Sequence, residues 1–258
     1  MFEIFKEELF EDFIIVEYRH IEIEKPSFAL ISLPDTGLVS VIGAWHIIKT
    51  LQLPEVGGID SYIHLPPVAV ISNKTLRTPI RVFAGNNLFI VYSEFMPSQL
   101  GMIKLSKLLA NYLERKGIDY IFLATGMPIQ NRFEVEKLRT FYLATSQKAF
   151  ELVKNLDLIP FENGFFAGPY AILLKEFVRA KLNTILLLTE SFLEFPDPEA
   201  SAKNVDIISR IIGKAIDVKE LLDEAEAIRI RARDAMKNVV RGLAQMRKDL
   251  EYTPPLYT

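Results

Sequence analysis

From Ser27 onward, short apolar runs alternate with longer stretches in which apolar residues recur at spacings of three and four, the pattern of an α/β domain built on a largely parallel sheet. Phe28 to Leu33 predicts a buried strand, stopped by Pro34-Asp35-Thr36-Gly37 and followed by a helix from Leu38 to Leu51. Leu65-Pro66-Pro67 opens a predicted strand that runs through Ile71. Arg81-Val82-Phe83 and Leu88 to Tyr92 flank the turn Gly85-Asn86-Asn87, a hairpin that makes part of the sheet mixed. Pro97 starts a helix that reaches Lys116; Gly117 ends it, and Ile118 to Ala124 reads as another buried strand before the break at Gly126-Met127-Pro128.

The alternation continues with a helix through Gln147 to Leu156, a turn at Asn163-Gly164 and a helix after Gly168-Pro169. The all-apolar strand Thr184 to Leu188 follows, then the rigid loop Phe195 to Pro198 and a helix from Glu199 to Lys214. From Asp217 to Glu251 there is no proline and a single glycine, Gly242, so the segment predicts one long helix. At about 1.5 Å per residue it would be on the order of 50 Å long. Val218, Leu221, Ala225, Ile228, Ala232, Ala235, Val239, Leu243, Met246 and Leu250 form a near-heptad seam, which packs along its own domain, pairs with other subunits or reaches away from the body. The organisation is therefore an α/β domain over 1–215, a helix over 216–251 and an extended tail over 252–258.

Half of the 258 residues are hydrophobic, enough for a sizeable core. The net charge of −3 gives no global attraction to nucleic acid or anionic membrane. The absence of cysteine removes disulfides and thiolate chemistry, and three scattered histidines, His20, His46 and His64, have no partner at ligand spacing; neither metal nor cofactor is expected. No stretch approaches the roughly 18 apolar residues of a membrane span, so the sequence reads as a soluble cytoplasmic protein.

Pro34 to Gly43 sits where a strand feeds a helix, a place where backbone N–H groups can hold an anion. It is not a phosphate loop, because Ala44-Trp45 stand where a lysine and a hydroxyl should follow the second glycine. Glu94, Thr125 and Glu190 fall at predicted strand C-termini, where paired carboxylates can do acid–base work or simply end a strand. Arg229, Arg231, Arg233, Lys237, Arg241, Arg247 and Lys248 crowd the second half of the long helix, either as a solvated face or as a patch for an acidic protein surface or nucleic acid.

Beyond Thr253-Pro254-Pro255, Leu256 offers an apolar anchor, Tyr257 a ring edged by a hydroxyl and Thr258 a main-chain carboxylate. The two prolines keep the segment extended and lower the entropy lost on docking. The triad resembles the hydrophobic-tyrosine-any-residue (HbYX) motif by which proteasome activators and some assembly chaperones plug into pockets between α subunits of the core particle; an aromatic packed back on its own domain is the other reading. Taken in order, Phe28 to Gly43, Leu65-Pro66-Pro67-Val68, Arg81 to Gly85 and Ala124 to Pro128 resemble the proteasome assembly chaperone family and its archaeal homologues. That resemblance implies a three-layer α/β sandwich similar to nucleoside phosphorylases but without their catalysis. It further implies HbYX-type tails, with Leu256, Tyr257 and Thr258 as the binding residues of an assembly chaperone or activator of the 20S core particle; the missing nucleotide loop makes that chaperone or activator ATP-independent, and the weak binding expected of a lone tail predicts a homo-oligomer. The alternatives are a nucleoside-phosphorylase-like enzyme using Glu94 or Glu190 at the strand ends, or a plain oligomeric scaffold. Asp35, where the family more often has glycine, and the long C-terminal helix depart from the family pattern.

Overall fold

The computed structural model describes residues 4–72 and 74–225. Ten strands form one mixed sheet in the order β1 (Lys6–Phe10), β2 (Phe13–Glu17), β4 (Glu55–Asp60), β7 (Ile80–Gly85), β8 (Leu88–Ser93), β3 (Phe28–Ser32), β9 (Tyr120–Pro128), β12 (Thr184–Ser191), β10 (Thr140–Ala144) and β11 (Ile159–Pro160). The neighbours β8, β3, β9 and β12 run parallel, with antiparallel strands on both sides. The chain is thus the expected mixed α/β fold.

Period-two alternation in the central strands builds two cores. Ala29, Ile31, Ile121, Leu123, Leu186 and Leu188 face α2 (Gln99–Arg115) and α4 (Pro169–Arg179). Phe28, Leu30, Phe122, Ala124, Ile185 and Leu187 face α1 (Val39–Thr50), α3 (Gln147–Val153) and α5 (Pro198–Ile212). Each fully buried leucine, isoleucine or phenylalanine here contributes about 1.5–3 kcal/mol, which makes the four parallel strands the anchor of all three layers.

Local chemistry sets the helix ends. The Ser98 hydroxyl accepts from Gly101 N to cap α2, and the Asp197 side chain accepts from Ala200 N to cap α5, with Pro198 in its first turn. Gly117 and Gly213 take the left-handed conformation just after α2 and α5.

Two expectations need correction. Leu65 to Ala69 is loop, because Pro66 and Pro67 have no N–H to give a ladder; only Val70–Ser72 (β5) is extended, paired with Thr75–Arg77 (β6) in a separate hairpin. Gly126 to Pro128 is not a break but the end of β9, paired with β12 to Ser191.

Residues 216–225 pack on the α1/α5 side: Ile216 and Leu221 join that core, and His46 donates from Nε2 to the Asp217 carbonyl oxygen at 2.6 Å. The remainder of the predicted long helix, with most of its seam, lies outside the described residues, as do the basic set from Arg229 to Lys248 and the tail triad.

Candidate strand-end site

After β3 the chain leaves toward β4, β7 and β8; after β9 it leaves toward β10 and β12. Adjacent parallel strands whose exits diverge open a crevice at their carboxyl ends. Asp35 and Thr36 form one lip of that crevice, Thr125 to Pro128 the other, and Phe161, Phe165, Phe166 and Tyr170 wall it.

Asp35 spans the crevice. Its carboxylate accepts from Ser40 N at 3.1 Å and from Gly126 N at 3.0 Å, and it bonds the Thr125 hydroxyl. Ser40 lies in the first turn of α1, so Asp35 fills with its own charge the helix N-terminus that would otherwise attract an anion. Burial pushes the Asp35 carboxyl up to about 7, against the opposing pull of the Gly126 N–H, the Thr125 hydroxyl and the Ser40 N–H. A side chain at Gly126 would overlap the Thr36 backbone oxygen and Ser191 Oγ, so only glycine lets the two lips approach this closely. Below them the Tyr170 hydroxyl accepts from Leu33 N at 2.9 Å and donates to Leu33 O at 3.0 Å, fixing α4 to the end of β3.

The two glutamates singled out in the sequence do not meet. Glu94 follows β8 and Glu190 ends β12, with β3 and β9 between them, so three inter-strand spacings, roughly 14 Å, separate their strands. Glu190 is buried and committed to Arg139, which gives it Nε at 2.7 Å and its backbone N–H at 2.9 Å. Glu94 accepts from the Tyr92 hydroxyl at 2.9 Å. Neither is placed to work with the other as an acid–base pair, which corrects that expectation. The histidines hold the framework together or stand exposed: buried His64 bridges Asp12 at 3.1 Å and Ser98 at 3.3 Å, buried His46 holds Asp217, and exposed His20 lies 3.6 Å from Glu22. Among the described residues no His, Asp and Glu cluster is arranged to hold a metal ion, and no helix is long and apolar enough to cross a membrane.

One ionic knot escaped sequence reasoning. Buried Arg132 donates from Nε to Asp197 at 2.7 Å and from Nη2 to both Asp197 at 3.0 Å and Glu199 at 2.9 Å, while its guanidinium lies 4.9 Å from the Phe192 ring centroid. Asp197 N in turn donates to Gly37 O at 2.8 Å, so the loops after β3, β9 and β12 are tied together. The sequence showed this region only as the rigid loop Phe195 to Pro198 ahead of a helix.

The PAC2 family model matches residues 29–236. The chain belongs to the PAC2 family. The crystal structure of Pyrococcus furiosus PbaA, an archaeal homolog of proteasome-assembly chaperone, superimposes with a TM-score of 0.75 at 25% identity, covering 90% of this chain and 96% of that one. P. furiosus PbaB, an archaeal proteasome activator, gives a TM-score of 0.74 at 19% identity over 88% of this chain and 99% of its own, a likeness of fold. An uncharacterized protein of Methanocaldococcus jannaschii is 25% identical over 236 residues, 91% of this chain and 95% of that protein. The family resemblance carried by Phe28 to Pro128 therefore holds, and the PAC2 chain shares its three-layer body with proteins described as proteasome chaperone homologues and activators.

Proposed function

We propose that this PAC2-family protein binds the proteasome 20S core particle as an assembly chaperone or activator, docking Leu256, Tyr257 and Thr258 between α subunits of the outer ring. The observation that carries this reading is the coincidence of an HbYX-type triad with a body similar to PbaA over nine-tenths of the chain. Leu256 fills an apolar pocket, Tyr257 packs on its wall and shifts a loop at the gate, and the Thr258 carboxylate pairs with a pocket lysine. No nucleotide hydrolysis is needed: the β3–α1 turn lacks the lysine and hydroxyl of a phosphate loop, and Asp35 occupies the helix N-terminus there. The expected setting is the cytoplasm, with no role for nucleic acid or membrane.

The test is a pull-down of core particle with and without residues 256–258. Binding should be lost on deletion with folding unchanged. Tyr257→Ala should weaken it more than Thr258→Ala, because the last position contributes through its backbone carboxylate. A short C-terminal tag should be nearly as harmful as deletion, since it leaves a buried cation unpaired at roughly 2–5 kcal/mol. Undiminished binding by the truncated chain sinks the reading. A nucleoside-phosphorylase-like activity is the weaker reading, because a phosphate would meet the Asp35 carboxylate and the two glutamates stand on separated strands.

A further inference from the structure

Three loops meet at the edge where the parallel strands end, on the β1–β2 side of the sheet and several strands from the Asp35 crevice. The turn between β1 and β2 brings Asp12, the loop after β4 brings His64, and Ser98 immediately precedes α2. Their side chains form one line: the Ser98 hydroxyl lies 3.3 Å from His64 Nδ1, and His64 Nε2 lies 3.1 Å from the Asp12 carboxylate. Ser98 is exposed, His64 buried and Asp12 half-buried, so the serine end of the line is open to solvent.

Donors and acceptors fix the direction of the line. As the cap of α2, Ser98 Oγ accepts from Gly101 N at 3.1 Å, which uses a lone pair and leaves its O–H to donate to His64 Nδ1. Nε2 then carries the imidazole proton and donates it to Asp12. The Lys104 ammonium, which also bonds Asp12, and His64 hold that carboxyl below its usual range, so it stays an acceptor. His64 is held in place by stacking on Phe13, with ring centroids 5.5 Å apart, and by Gly101, where a side chain would overlap its Cβ.

A serine hydrogen-bonded to a histidine that a carboxylate orients is the arrangement of an activated nucleophile. The 3.3 Å separation fits such a pair before substrate tightens it. The helix adds a third part. Gln99 and Leu100 stand in the first turn of α2, where N–H groups find no carbonyl within the helix, and that end of the helix favours negative charge. The N–H that follows the nucleophile is a donor that serine hydrolases aim at the oxyanion. Tyr62, Ile63 and Leu100, exposed and next in the chain to His64 and Ser98, offer apolar surface to an acyl group.

We propose that Ser98, His64 and Asp12 form a hydrolytic site for esters with a short apolar acyl group, separate from the tail and independent of proteasome docking. Ser98 Oγ attacks the carbonyl carbon while His64 Nδ1 takes its proton; the bond to the alcohol oxygen breaks, and the alcohol leaves with that proton. Water then attacks the acyl-serine and passes a proton to His64, which returns it to Ser98 Oγ as the acid leaves. Asp12 is a positioning residue that fixes the tautomer and balances the charge His64 gains.

The test uses the full chain, with 4-nitrophenyl butyrate as substrate and a fluorophosphonate as label. The wild type should turn the ester over repeatedly, and mass spectrometry should find the label on Ser98. Ser98→Asn keeps a capping side chain on α2 and removes the nucleophile; its rate should fall at least tenfold while its unfolding midpoint stays near that of the wild type. Asp12→Asn should lower kcat at least tenfold and leave KM within twofold, a split that loosening of the loop alone would not give. No turnover by the wild type, a label absent from Ser98, equal rates for Ser98→Asn and the wild type, or an unchanged kcat in Asp12→Asn overturns the proposal.

Discussion

Asp35 carries more of this molecule's behaviour than any other single residue, because its carboxyl joins two strand ends while sitting largely out of water. In the unfolded chain it titrates near 3.9; in the folded chain burial raises it to about 7. Between these values the folded state binds more protons than the unfolded one. The contribution of Asp35 is therefore fully present below about pH 4 and is lost as pH rises through about 7. From pH 5 to pH 8 the loss is about 2–3 kcal/mol, at 1.36 kcal/mol per unit. Denaturant unfolding of the wild type and Asp35→Asn at the two pH values should show the wild type losing that much relative to the variant. An unchanged difference would mean that the Gly126 and Ser40 N–H groups keep the carboxylate ionised throughout. The sequence made the turn at Pro34 to Gly37 legible as a strand-to-helix junction with room for an anion. It could not show that the anion is the protein's own, because that depends on Gly126, some 90 residues away, reaching the same oxygen.

At the scale of elements, the apolar strands and the helices were legible because each has a local cause: the central strands are apolar on both faces, and Pro97, Gly117, Gly168-Pro169 and the loop Phe195 to Pro198 punctuate the helices. β4 was not, since Gly57-Gly58 reads as a turn; the glycines are there because a side chain at Gly58 would overlap Thr78 and the Ile80 backbone oxygen on the next strand. β10 was hidden by its partial burial and by the short link to α3, Thr145-Ser146, which carries no glycine or proline. The aromatic wall of the crevice was illegible too, because Phe161 to Tyr170 meets Asp35 only through the packing of α4. Loop tethering by Arg132 gives a prediction at this scale. Arg132→Ala leaves Asp197 buried without its counter-charge and should cost about 3–5 kcal/mol in chemical denaturation. A loss under about 1 kcal/mol, the size of an exposed ion pair, would show that the loops after β3, β9 and β12 are held by packing alone.

For the whole molecule the open quantity is how many tails act together. Burying one leucine contributes about 1.5–3 kcal/mol before the cost of ordering the tail. A lone tail should accordingly bind weakly, while linked tails at millimolar effective concentration gain roughly 10² to 10⁴-fold. Val218, Leu221 and Ala225 at the start of the seam are buried or packed within the chain itself, so we expect a homo-oligomer assembled through the remainder, Ile228 to Leu250. Light scattering should find it larger than one chain, and Val239→Glu should reduce both its size and its hold on the core particle. A monomer whose core-particle affinity is indifferent to Val239→Glu would contradict multivalent binding. Whatever surface joins the copies, the sheet itself is a poor one. Its described edges are β1, which carries Lys6, Glu7 and Glu8, and β11, two residues long and ending in Pro160. A charged margin on one side and a proline stub on the other deny an incoming strand the backbone ladder it would need. Growth by edge-to-edge addition, the route from a soluble sheet to a fibril, is thereby blocked at both ends, and a crowded solution of this protein should yield assemblies of finite size.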